Sequence, residues 1–230
     1  MTQIKDQLAQ VSVQNACFQA KASFVGQIRR FRSLLLLLIL PAFLAACSGT
    51  WKTDYGEPLD IAETQNWRVS KINVIMPASL TWSDINTYAP NYDVVWHGDP
   101  AGNRIEQVKK IVYDSARTAT SGMRGSVPVI MNLTVQQFHG VTPISLAEAP
   151  AAVYNMQFEA QVVDARNGAA LTPPTKIFAD APALVGEEGL RAIQFGPSQK
   201  EQVTTHLVAV FKGWLGIGPD VRGSFSSLGR

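Results

Sequence analysis

Chemistry in this chain would have to come from three histidines, two cysteines and the acidic residues near them. His97, His139 and His206 could in principle hold a metal, since zinc is bound by three or four converging His, Cys or carboxylate groups. Their spacing does not bring them together: His206 falls on a helical stretch beside its apolar stripe, and His139 ends a strand-like run. Asp93, His97 and Asp99 with a serine could make a hydrolytic set, but no Gly-x-Ser-x-Gly elbow accompanies them. As residues of a turn-rich segment they are better read as satisfying backbone groups. Gly216-Ile217-Gly218 follows a helix rather than opening one, the wrong context for a phosphate cradle. No catalytic set, metal or cofactor is expected, and the chain reads as a non-enzyme. The residue whose surroundings do specify chemistry is Cys47, placed behind Leu44-Ala45-Ala46 and an apolar run.

Arg29, Arg30 and Arg32, then the run Leu34 to Leu40, then small residues, have the layout of a secretory signal peptide. The run is too short to span a membrane comfortably, which takes about 20 apolar residues. Leu44-Ala45-Ala46-Cys47 resembles the lipobox of bacterial lipoproteins. That resemblance implies a diacylglycerol on the Cys47 thiol, cleavage before it, and acylation, commonly palmitate, of the new amino terminus. It also implies that Ser48, where an aspartate would be the retention signal, sorts the protein to the outer membrane, facing the periplasm. Residues 1–46 are therefore a signal peptide with a long leader, polar and mixed over 1–28. The basic character of the whole chain, net +2, comes from the leader, whose Lys5, Lys21, Arg29, Arg30 and Arg32 face only Asp6. What remains is weakly acidic and offers no footprint for nucleic acid. With Cys17 in the leader and Cys47 acylated, no thiol is left for a disulfide.

The remaining chain suits one domain. Residues 47–66 read as a lipidated tether, 67–216 as the folded domain and 217–230 as a tail. Arg68 to Met76 alternates as a strand with Ile72, Val74 and Met76 on one face, and Asp93 to His97 reads as a short strand. Asn103 caps a helix with Glu106 three residues on, and Ile105, Val108, Ile111, Val112, Ala116 and Ala119 keep helical spacing. Val127 to Gln137 and Val153 to Val163 are alternating strands, and Asn167-Gly168 predicts a hairpin returning through Ala169 to Thr172. Thr175 to Ala179 adds an edge strand, and Pro182 to Pro197 holds a broken helical turn. Ser198 with Glu201 opens a second helix whose stripe is Val203, Leu207, Val210, Phe211 and Trp214. The fold class is α+β: a two-layer sandwich, a mostly antiparallel sheet with two main helices on one face.

That element order resembles, from Arg68 to Gly216, the small α/β domains of envelope lipoproteins that serve ABC-type transporters or lipopolysaccharide assembly. A closer resemblance spans nearly the whole mature chain and is to an uncharacterised family of bacterial lipoproteins, a domain of unknown function. It is carried by Trp51-Lys52-Thr53-Asp54-Tyr55-Gly56, Tyr88-Ala89-Pro90-Asn91, Trp96-His97-Gly98-Asp99-Pro100, Gly213-Trp214-Leu215-Gly216 and Gly218-Pro219-Asp220.

Two groups of residues are candidates for partner contacts. The outward faces of the two long strands carry neutral amides, Asn132, Gln136, Asn155, Gln157 and Gln161, cheaper to dehydrate than charges. Their alternative is a plain wet face. Trp82, Tyr88, Tyr92 and Trp96 form an aromatic loop group that either meets a partner or folds back into the core. In the tail, Val221, Phe225 and Leu228 have the spacing of a short helical turn, and Phe225 is the expected anchor against a surface. These features predict an outer-membrane lipoprotein acting as a non-enzymatic envelope assembly or transport accessory, bound to an envelope protein. The alternative is a lipid or glycolipid binder with an apolar cleft between helices and sheet.

Overall fold

The computed structural model describes residues 49–227; Cys47, Ser48, Leu228 and the segment 1–46 read above as a signal peptide lie outside them. Two long strands make the centre. In β5 (Val127–His139), Val129, Met131, Leu133 and Val135 are all buried, as period-two alternation requires. In β6 (Ala152–Asp164), Tyr154, Met156, Phe158, Ala160 and Val162 face the same core, and the two strands pair antiparallel. The Asn167-Gly168 turn returns the chain as expected, with Gly168 at φ 76°, a left-handed value glycine adopts without strain. The return makes a single bridge, Val163 to Ala170, rather than a strand, before β7 (Thr175–Ala179) pairs antiparallel with β6.

At the other edge the pairing is parallel. β2 (Trp67–Ile75) runs parallel to β5 because the chain returns through the helix α2 (Arg104–Thr120). The two-residue strands β3 (Trp82–Ser83) and β4 (Val94–Val95) extend the same edge in parallel. The sheet is thus mixed but mostly antiparallel. α2 starts at Asn103, whose side chain accepts from the Glu106 N–H. α5 (Gln199–Trp214) starts with a complete Ser198–Glu201 capping box, and its stripe Val203, Leu207, Val210, Phe211 and Trp214 is fully buried. α2 and α5 lie side by side in one core with β5 and β6, with Phe158 and Phe211 edge to face at 6.0 Å. The α+β sandwich with two main helices is the observed fold.

The boundaries at both ends need correcting. The tether read over 47–66 is largely part of the fold: β1 (Gly49–Asp54) pairs with β7 on one side and with β9 (Gly223–Ser227) on the other. Tyr55 is fully buried, and a short helix α1 (Ile61–Thr64) follows, capped by Asp60. The tail is the strand β9 and not a helical turn, with Phe225 half-buried opposite Trp51. Backbone pairing between remote segments stabilises both pieces; the first carries only the short alternation Trp51, Thr53, Tyr55, and the second carries none. Three further elements close one end of the sheet. The strand β8 (Ala181–Ala183) pairs with Ala152–Tyr154, and the helices α3 (Pro143–Glu148) and α4 (Gly186–Phe195) pack on each other.

Candidate functional site

The end of β5 departs from simple alternation. A bulge between Val135 and Gln137 leaves Gln136 exposed, returns Phe138 to the core, and turns Gln137 and His139 to the opposite face. Beside them on β6 stand Asn155 and Gln157. The loop Tyr88-Ala89-Pro90, α3 and Trp51 of β1 wall this corner into a cleft of about 190 Å³.

Its polar groups are largely committed to one another. Gln157 Nε2 donates to Gln137 Oε1 at 3.1 Å. His139 Nε2 meets the Tyr92 carbonyl, so that nitrogen carries the proton and cannot also accept from Gln137. Asn155, only 8% exposed, donates its amide N–H to Asp180 Oδ1 at 2.6 Å. Asp180 also receives the backbone N–H groups of Lys52 and Met156, at 3.0 and 3.3 Å. Burial pushes the Asp180 carboxyl above its ordinary value, and these three donors oppose the rise. At the rim, Tyr88 Oη donates to Glu148 at 2.6 Å, and that bond raises the phenol above its usual range. Ser145 Oγ lies 3.2 Å from the Tyr88 carbonyl. The Trp51 indole N–H is buried without a partner among the described residues. Such a corner offers aromatic surface and neutral hydrogen-bonding groups, the chemistry of recognition.

The expected contact residues do not form one surface. Trp96 is fully buried, edge to face with Phe138 at 5.6 Å, and its indole donates to Asp99. It belongs to the core, because the turn after β4 folds its ring inward. Tyr92 is half-buried, while Trp82 and Tyr88 are about half exposed. The amide face is not plainly wet either: Asn155 is buried, Gln157 is half-buried, and Asn73 donates to Asn132 at 2.8 Å across β2 and β5. Gln136 alone of the five amides singled out on these strands stands in solvent, and Phe225 is spent on pairing β9 with β1. Cys47 and Ser48 lie outside the described residues.

Asp93, His97 and Asp99 do not make a set. Asp93 accepts from the Thr81 backbone and hydroxyl, and Asp99 takes Lys200 at 2.6 Å as well as Trp96. Burial opposes ionisation of Asp99, but Lys200 and Trp96 hold its carboxyl below the usual value. His97 and His206 are both pushed below the ordinary imidazole range by burial. No group of three or more His, Cys, Asp or Glu among the described residues could hold a metal ion. Sequence reasoning missed Trp51, Gln137 and His139 as neighbours. The period-two spacing of Trp51, Thr53 and Tyr55 is a strand signal for the first. Nothing local marks the bulge that turns the other two.

The fold defines an α+β domain with a covered corner on its sheet. The chain belongs to a family of unknown function (DUF6778), whose model matches residues 67–230 and so leaves β1 outside the match. No curated protein sequence matches it significantly. Among solved structures, a DUF330 protein of Xanthomonas campestris is 9% identical, with TM-score 0.44 over 71% of this chain and 91% of that one. The PelC dodecamer of Paraburkholderia phytofirmans is 10% identical, with TM-score 0.33 over 72% and 95%. A Caulobacter crescentus protein provisionally assigned as a lipoprotein is 16% identical, with TM-score 0.32 over 64% and 93%. Among the described residues no helix is long and apolar enough to cross a membrane.

Proposed function

We propose that this protein is an envelope lipoprotein, held in the outer membrane by lipid on Cys47 and facing the periplasm. There it acts without catalysis as an assembly or transport accessory through contacts with other proteins. The observation that carries the reading is Cys47 itself: it ends a signal-like segment and precedes the first strand, at Gly49, by two residues. At about 3.5 Å per residue the acylated residue stays within about 7 Å of β1. A domain held so short works at the membrane surface, on partners that come to it. The corner cleft supports a binding role, since its hydrogen-bonding groups are neutral or already engaged with each other, and Tyr88 leaves half its surface free at the rim.

Growth with a labelled palmitate analogue tests the anchor. The wild type takes up label and loses residues 1–46, whereas Cys47→Ala takes up none and stays uncleaved. Fractionation places the wild type in the outer membrane, and Ser48→Asp shifts it to the inner membrane. Recovery of unlabelled wild type from the cytoplasm overturns the anchor; labelled wild type in the inner membrane overturns the sorting. Affinity purification from solubilised membranes then identifies the protein contacts, and recovery of no envelope protein overturns the accessory role.

A further inference from the structure

One end of the sheet collects apolar surface that the core does not use. β6 begins there at Ala152, and β8 runs antiparallel to it and exits at the same end into α4. β3 and β4 run parallel to β5 and level with its last residues, so the loop after Ser83 leaves past that end too. This loop bonds onto α3, Asn86 Oδ1 accepting from the Ile144 N–H at 2.8 Å. On these elements Trp82, Ile85, Tyr88, Leu190, Ile193 and Phe195 are exposed, the last three by 51, 65 and 76%. Of the other large apolar side chains exposed among the described residues, Ile75 and Tyr113 line a groove between β2 and α2 that also carries Glu106, Lys109 and Lys110, and Ile61 and Leu171 lie on other segments, which is ordinary for a protein surface. Only Gly189 and Ala192 of α4 are buried, so this helix spends its small residues on the domain and turns its large ones outward.

The chain itself says what lies against this end. Thr53 is level with Ala179, and Phe178 with Gln157, so β1 runs alongside β6 and starts where β6 starts. Cys47 is two residues before Gly49, and a chain that short keeps its lipid at this same end.

We infer that this end of the domain is a membrane-docking surface, in which Leu190, Ile193 and Phe195 of α4 and the loop aromatics enter the headgroup region beside the acylated Cys47. The inference rests on the lipid anchor proposed above. One set of acyl chains is tethered within reach, and exposed Leu, Ile and Phe side chains beside it bury their apolar surface in such an interface. Glu187 and Glu188 stand one turn before Arg191 on α4, so the surface suits zwitterionic rather than anionic headgroups. A docked end also sets orientation: it points the opposite end of the sheet into the periplasm and places the Trp51–Asn155 cleft at the membrane.

The test uses full-length lipoprotein purified from membranes and placed in phosphatidylethanolamine–phosphatidylcholine vesicles with brominated acyl chains. Phe195→Trp and Tyr113→Trp are compared by fluorescence quenching relative to unbrominated vesicles, and the amino-terminal peptide is weighed for acylation. Acylated protein in which Phe195→Trp gains a quenched component absent from Tyr113→Trp supports docking, and replacing Leu190 and Ile193 by serine reduces that component at least twofold. Acylated protein with equal quenching in both variants overturns the docking surface and leaves the anchor standing. A blue-shifted but unquenched Phe195→Trp means that a second copy of this chain covers the patch, and it overturns the proposal as well. An unacylated Cys47 overturns both readings together.

Discussion

Tyr55 Oη donates to Asp220 Oδ1 at 2.7 Å, joining the start of the folded unit to the segment after the last helix. The Val221 N–H donates to Tyr55 Oη at 3.2 Å, and Arg222 closes over the Asp220 carboxylate. The ring is fully buried, and burial together with Asp220 pushes the phenol up to about 12, so it remains a donor across the whole physiological range.

Removing that hydroxyl should therefore destabilise the domain. Tyr55→Phe keeps the packing and leaves the Val221 N–H and one Asp220 lone pair unpaired. A hydrogen bond to a charged group contributes about 1.5–3 kcal/mol, and denaturant unfolding of the variant should show a loss in that range. A loss as small as that of a surface control such as Ser226→Ala would show that Asp220 is held by Arg222 alone.

Deletion of 217–230 removes β9 and exposes the edge of β1, along with Asp220 and Arg222. The melting temperature should fall, and Phe225→Ala should lower it by less, because that substitution spares the backbone pairing. An unchanged melt after deletion would mean that β9 contributes nothing to the fold in solution.

On α5 the cap and the stripe can be separated. Ser198→Ala loses a capping box and should cost about 1 kcal/mol. Leu207→Ala opens a cavity in a fully buried stripe and should cost about 2–5 kcal/mol. Chemical denaturation of both variants checks the order; equal, negligible effects would contradict the packing of this helix.

Stability should also fall on mild acidification. His206 sits against Thr53 at 3.3 Å, and burial holds its pKa below the ordinary 6.5. The unfolded chain then binds a proton that the folded chain resists, so the contribution is complete above 6.5 and is lost as pH falls below it. His97 acts in the same direction. Melts between pH 7.5 and 5 should show the decline, and His206→Gln should flatten it in part. A melt that stays level, or rises, toward pH 5 would exclude this linkage.

Local pattern alone determined much of this protein. The alternation of β5 and β6, the helical stripes of α2 and α5, and both helix starts need only neighbours within a few residues, and each stands where the chain predicts it. The same holds for the α+β class, since one-faced strands and striped helices have few ways to hide together. The segment before Gly49 is legible in another sense: its charge, apolar run and Cys47 read as a processing signal, an expectation that draws on no fold. Tertiary structure alone decided what becomes of the ends and the faces. Gly49–Asp54 is a strand because it pairs with β7 on one side and with Gly223–Ser227 on the other, and Gly223–Ser227 is a strand only through that pairing, between residues more than 160 positions apart, which the local sequence does not record. The polar face of the long strands reads as solvated from alternation, yet Asn155 is buried because Asp180, from the junction of β7 and β8, reaches across to meet it. Trp96 and Tyr88 look alike in sequence, and only the path of the chain around β4 sends one into the core and leaves the other at a rim. Alternation records which side of a strand a residue takes, whereas burial depends on what another part of the chain lays over that side.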